Sequence, residues 1–194
     1  MILTLPNILT LARVAVIPLF VGLFFLESAI SQWIACGLFA LAAITDFFDG
    51  YFARARAQLS AFGTFLDPIA DKLLVASALL MMVGFGQIAG VTIIAAVIIL
   101  CREILVSGLR EYLAGISVVL PVSRLAKWKT TVQMVAISFL IVGNTAHPTL
   151  PDAFPVRLIG EVGLWIAAAV TLITGYDYLK TGLRHMDASK KTPP

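Results

Sequence analysis

Six apolar stretches separated by short polar turns constrain this chain more than any other feature. They run at about Ile8–Leu26, Ile30–Phe52, Ile69–Gly86, Gly90–Tyr112, Trp128–Asn144 and Leu158–Lys180. A helix needs about 20 mostly apolar residues to cross roughly 30 Å of hydrocarbon, and these stretches approach or meet that length. Inside hydrocarbon every backbone N–H and C=O must be satisfied within its own segment, which favours helices. Composition agrees: 60% of the residues are hydrophobic and 13% charged, with a mean hydropathy of +0.97. Soluble domains run near 45–50% apolar and about 25% charged, so a soluble fold could not cover this surface. The expected fold is all-α, an integral membrane bundle of six transmembrane helices. It divides into a membrane domain, 1–183, and a short, loose polar tail, 184–194. A secreted module, a disordered tail and a nucleic-acid-binding domain are excluded, so no nucleic acid is expected as a partner. The first stretch carries Arg13 and has neither a basic start nor a small-x-small site near Glu27, so it reads as a retained helix.

The basic residues orient the bundle. Net charge is +3 and the pI is near 9.0. The turns around Glu27–Gln32 and Gly86–Gly90 hold no Lys or Arg, and Thr145–Val156 has only Arg157 at its edge. The opposite side holds Arg54, Arg56, Lys72, Arg110, Arg124, Lys127, Lys129, Lys180, Arg184, Lys190 and Lys191. Cytoplasmic loops carry the excess of Lys and Arg, so both termini are expected in the cytoplasm. Cys36 and Cys101 lie in apolar runs without a CxxC or Cys/His partner and read as small hydrophobes.

Four aspartates gather on that basic side. Asp46 and Asp49 stand at i and i+3 near the end of the second helix, and Asp67 and Asp71 at i and i+4 at the start of the third. Asp67 before Pro68 reads as an N-cap with proline in the first helical position. A short loop makes the two helices antiparallel neighbours, so all four carboxylates can converge. A single carboxylate at a helix centre costs about 2.5–3.5 kcal/mol on insertion scales, and four together add repulsion. Divalent cations remove that penalty. Mg²⁺ takes oxygen ligands and substrate phosphates, and four carboxylates suit a two-metal site for displacement at phosphorus. A lone intramembrane aspartate could equally bond a neighbouring helix; four on two adjacent faces are poorly explained that way.

The run Asp46-Phe47-Phe48-Asp49-Gly50-Tyr51-Phe52-Ala53-Arg54, followed by Gly63, Asp67 and Asp71 at fixed intervals, resembles the signature of the CDP-alcohol phosphotransferases, with every signature position present. The resemblance implies a multi-pass enzyme of a bacterial inner (plasma) membrane, homodimeric, with its active site facing the cytoplasm. It implies that Asp46, Asp49 and Asp67 bind two ions, Mg²⁺ or Mn²⁺, and that Asp71 also approaches a metal and acts as general base. Gly50, Arg54 and Gly63 would hold the CDP part of the donor. From the residues alone, Arg54 can also be a topology charge and Gly63 a flexible loop position.

The fourth helix carries charge into an apolar segment at Arg102-Glu103 and Arg110-Glu111. Glu103, Ser107 and Arg110 share a face, with Arg102 about 80° from Arg110. A buried arginine needs a partner: either Glu103 or a site aspartate, or a phosphate on the acceptor. Lys127 and Lys129 open the fifth helix on the same side. These segments, with Gln133 and the start Leu5-Pro6-Asn7-Ile8-Leu9-Thr10 leading to Arg13, resemble the bacterial branch of the family that makes phosphatidylglycerol phosphate. That implies CDP-diacylglycerol as donor and glycerol 3-phosphate as acceptor, in a membrane-lipid setting. Arg102, Arg110, Lys127 and Lys129 would bind the acceptor. Asn7, Thr10 and Arg13 share a face that borders the donor nucleotide, although Arg13 can equally snorkel to the interface. Inositol phosphate, serine or phosphatidylglycerol remain alternative acceptors. A small cation transporter is the alternative from another class, but such proteins favour midplane sites and repeated halves, and neither is visible here.

Overall fold

Each apolar stretch forms a helix, and the helices run past their apolar parts at one end of the bundle. The computed structural model describes residues 5–26, 28–56, 61–116, 118, 124–143 and 155–190, with the side chains of 5–6, 46–56, 61–65, 67, 124, 127 and 185–190 outside that description. Among the described residues there are six helices and no strand: α1 Leu5–Phe24, α2 Ala29–Arg56, α3 Ala61–Gly84, α4 Thr92–Gly115, α5 Arg124–Val142 and α6 Val156–Lys190. Asn7–Phe24, Thr92–Gly115 and Val156–Arg184 are long and apolar enough to cross a membrane, and Ala29–Thr45 and Trp128–Val142 are shorter apolar helices.

Side-chain contacts define the two ends. At one, Phe24 meets Phe85 at 5.7 Å between ring centroids, and Gln87 donates to the carbonyl oxygen of Ile141 at 3.3 Å. The α3–α4 turn there uses Gly86 and Gly90 at φ 72° and 57°, a left-handed backbone that side chains disfavour. The start of α1, the ends of α2, α4 and α6, and the starts of α3 and α5 form the other end. All six helices are longer there than their apolar stretches. α3 begins at Ala61 rather than Ile69, so Pro68 lies inside the helix and the expected N-cap at Asp67 is not formed. Proline removes one backbone donor, a loss that neighbouring groups make good in membrane helices. α6 likewise continues through 184–190, helical where loose chain was expected.

α6 packs closely on α5 and α4, α1 on α3 and α2, and α2 on α5. α2 and α3, expected as neighbours, touch sparingly among the described residues, because α1 lies against both. Backbones of α5 and α6 approach closely at glycine: a Cβ on Gly160 would stand 2.7 Å from Leu140 Cγ, and one on Gly163 2.9 Å from Ala136 Cβ. Small residues permit this approach where packing, not water expulsion, must hold helices together. The core between the helices buries Phe20, Phe39, Leu79, Met82, Ile137 and Leu140. Large apolar side chains cover the outside as well, among them Ile30, Phe25, Leu80, Ile104, Trp128 and Ile173. Apolar surface on this scale marks a membrane protein.

Candidate active site

The overhanging helix ends carry the acidic signature. Asp46, Asp49, Gly50 and Arg54 stand on α2, and Gly63, Asp67 and Asp71 on α3. Gly63 is therefore helical, which removes its reading as a loop position. The side chains of Asp46, Asp49, Arg54 and Asp67 lie outside the described residues. Asp71 is described and half-buried, and it lies within electrostatic range of Lys129.

α1 closes one flank. Asn7, Thr10 and Arg13 are 2%, 1% and 4% exposed, while Ile8 and Leu11 on the other face are 48% and 40% exposed. The i, i+3 face turns inward toward α2 and α3, and Arg13 does not snorkel.

Of the four cations expected at the acceptor, Lys129 is 3% exposed and forms an ion pair with Glu103 across the gap between α5 and α4. Arg102 is tied to α6: its Nη2 donates to Thr174 Oγ1 at 3.0 Å, and its guanidinium lies 5.8 Å from the centroid of the Tyr178 ring. Its Nη1 reaches Glu103 Oε1 at 3.9 Å. Gly175 makes room, since a Cβ there would stand 3.0 Å from Arg102 Cγ. Glu103 is thus shared by two cations, which answers which partner Arg102 takes. Arg110 remains exposed. The Lys127 side chain lies outside the described residues.

Arg102, Glu103, Ser107 and Arg110 of α4 face Pro68 and Lys72 of α3 across a cavity of about 390 Å³. The cavity opens where α3 and α4 pack loosely, and its α3 wall includes Lys72, the residue after Asp71. Its size suits a small ligand, and Lys72, Arg102 and Arg110 against Glu103 and Glu111 leave its walls net positive, which favours an anion. Thr174 and Tyr178 were not legible as site-supporting residues. Their one signal is i, i+4 spacing of polar groups in an apolar helix.

Similarity to known proteins agrees with this arrangement. Residues 3–173 match the family described as CDP-alcohol phosphatidyltransferase. The CDP-diacylglycerol–glycerol-3-phosphate 3-phosphatidyltransferase of Rickettsia bellii is 48% identical over 176 residues, covering 91% of this chain and 93% of the relative. Proteins of the same name from Pseudomonas fluorescens and Cereibacter sphaeroides are 41% and 39% identical, covering 94% and 96% of this chain and 91% and 99% of the relatives. A chain matched over nearly its whole length, with the acidic signature on two of its helices, belongs to the CDP-alcohol phosphatidyltransferase family.

Proposed function

We propose that the chain transfers the phosphatidyl group of CDP-diacylglycerol to sn-glycerol 3-phosphate, giving phosphatidylglycerol phosphate and CMP. The observation that carries an anionic acceptor is the cavity between α3 and α4, which Lys72, Arg102 and Arg110 line. A zwitterionic acceptor such as serine has less use for these cations, and against the anionic alternatives the choice of glycerol 3-phosphate rests on the relatives named for that reaction. The relatives named for this reaction span the same length.

Asp71 is the general base: its carboxylate takes the proton of the acceptor's 1-hydroxyl, whose oxygen attacks the donor's β-phosphorus as the bond to CMP breaks. Asp46, Asp49, Asp67 and Asp71 offer hard carboxylate oxygens on adjacent helix turns, a donor set that fits Mg²⁺ or Mn²⁺. They would hold two such ions, which supply charge stabilisation at the phosphoryl oxygens. Asn7, Thr10, Arg13, Gly50, Arg54 and Gly63 bind the CDP part of the donor. Arg110 and Lys127 hold the acceptor phosphate, and Arg102 and Lys129 complete its field from their fixed positions around Glu103. All six helices span a bacterial inner membrane in this reading. Both termini and the site face the cytoplasm, residues 184–194 form a cytoplasmic tail, and the enzyme works as a homodimer.

The test is CMP release by purified protein supplied with CDP-diacylglycerol and, in turn, glycerol 3-phosphate, inositol phosphate, serine or phosphatidylglycerol. Glycerol 3-phosphate with Mg²⁺ should support turnover, and excess chelator should abolish it until Mg²⁺ is restored. Turnover with a different alcohol alone would overturn the acceptor, and full activity in chelator would overturn the metal site.

A further inference from the structure

One cation on the cavity wall has been given no contact of its own with a substrate. Lys72 follows Asp71 directly on α3 and faces Arg110 and Ser107 of α4 across the cavity. In sequence it is one more basic residue on the basic side; in the structure it is half-buried. Its ammonium donates to the carbonyl oxygen of Pro68, one turn back, at 3.1 Å. That bond engages one of its three donors and no negative charge. Among the described residues, Lys72 forms no ion pair within 4 Å with an acid of this end. Glu103 is taken up by Lys129 and Arg102. Glu111, also on the wall, is exposed and forms no described ion pair with Lys72 or Arg110. Two cations from opposite helices therefore face one concavity, neither in a described ion pair. Like charges facing one another are eased when an anion joins them, and a phosphate oxygen is a strong partner for both.

We propose that Lys72 binds the phosphate monoester of the acceptor, acting with Arg110 from the opposite wall. This rests on the acceptor being glycerol 3-phosphate. The neighbouring positions of Lys72 and Asp71 then have a chemical use. Adjacent residues on a helix diverge by about 100° with a rise of about 1.5 Å, so one holds the phosphate while the other meets the hydroxyl at the far end of a three-carbon acceptor.

Steady-state kinetics of the purified full chain, with CDP-diacylglycerol in detergent micelles, tests this in wild type, Lys72→Met and Lys72→Arg. Loss of one charge-assisted contact should raise the KM for glycerol 3-phosphate about ten-fold or more, with kcat and donor KM within about two-fold. Lys72→Arg should recover most of the affinity. The inhibition constant of inorganic phosphate should rise in parallel with the acceptor KM. An unchanged acceptor KM overturns the proposal, and so does an increase confined to the donor, which would move Lys72 to the pyrophosphate. Lys72→Gln, which keeps a hydrogen-bond donor without the charge, replaces Lys72→Met if that variant does not fold. Should wild type release no CMP with glycerol 3-phosphate, the functional reading fails. Thermal stabilisation by inorganic phosphate, present in wild type and lost in Lys72→Met or Lys72→Gln, still decides whether Lys72 binds phosphate.

Discussion

Arg102 and Arg110 stand about two turns apart on α4 and end in different surroundings. Arg102 meets a hydroxyl, a carboxylate and an aromatic ring supplied largely by α6, so its charge is placed before any substrate arrives. Arg110 has no such neighbours among the described residues and faces the cavity. Lys129 belongs with Arg102: buried, paired with Glu103, and near Asp71. Lys129 thus sets a fixed positive charge within electrostatic range of the Asp71 carboxylate. For Asp71→Asn we expect kcat to fall by about 10²–10⁴-fold, the usual contribution of a general base, with CDP-diacylglycerol binding retained. Parallel measurement of single-turnover CMP release and donor binding checks this. Lost donor binding with normal turnover at saturation would contradict the role given to Asp71.

Among the helices, α6 is the organiser. It lies antiparallel to α5, where Gly143 faces Arg157, Gly160 faces Leu140 and Gly163 faces Ala136. It lies parallel to α4, where Gly175 faces Arg102 and Gly182 faces Leu109. The same close approach that packs α6 therefore also delivers Thr174 and Tyr178 to Arg102. Gly163→Leu should overpack this contact and destabilise the fold by about 1–3 kcal/mol. In detergent that reads as a fall in Tm of about 2–4 °C per kcal/mol for a chain of this size. Gly22→Ala is the control, since a Cβ there meets nothing within 4 Å. Equal Tm values for the two variants would show that the α5–α6 contact yields more easily than its distances imply.

Across the whole molecule, the helix overhang, the acidic signature and most basic residues occupy one end. In the proposed membrane setting, water-accessible chemistry is thereby gathered at one face and the apolar exterior of the remaining length is left for lipid. The proposed orientation can be read with Ser28→Cys and Ser189→Cys, each introduced after Cys36 and Cys101 are replaced by alanine. A membrane-impermeant maleimide should label position 189 only in inside-out vesicles and position 28 only from the periplasmic side. The reverse pattern would invert the proposed topology, and labelling of both from one side would refute the odd number of spans, α2 to α6, that this reading puts between them.

What the sequence determined by itself is whatever depends on near neighbours along the chain. Apolar runs set the six helices, and i, i+3 and i+4 spacing set which aspartates share a face and which face of α1 carries Asn7, Thr10 and Arg13. The distribution of Lys and Arg set the two ends. Local cues failed at α3: the Asp67-Pro68 pair imitates a helix start, yet the helix begins at Ala61. Only the tertiary structure decided how charges pair. Glu103 and Lys129 are 26 residues apart and Arg102 and Thr174 are 72 apart, so no spacing rule brings them together. Nor could spacing reveal that α3 and α4 separate enough to leave a cavity with Lys72 on its wall. A charge in an apolar segment announces that it needs a partner, but three-dimensional packing selects the partner, because Coulomb attraction follows distance in space and not along the chain.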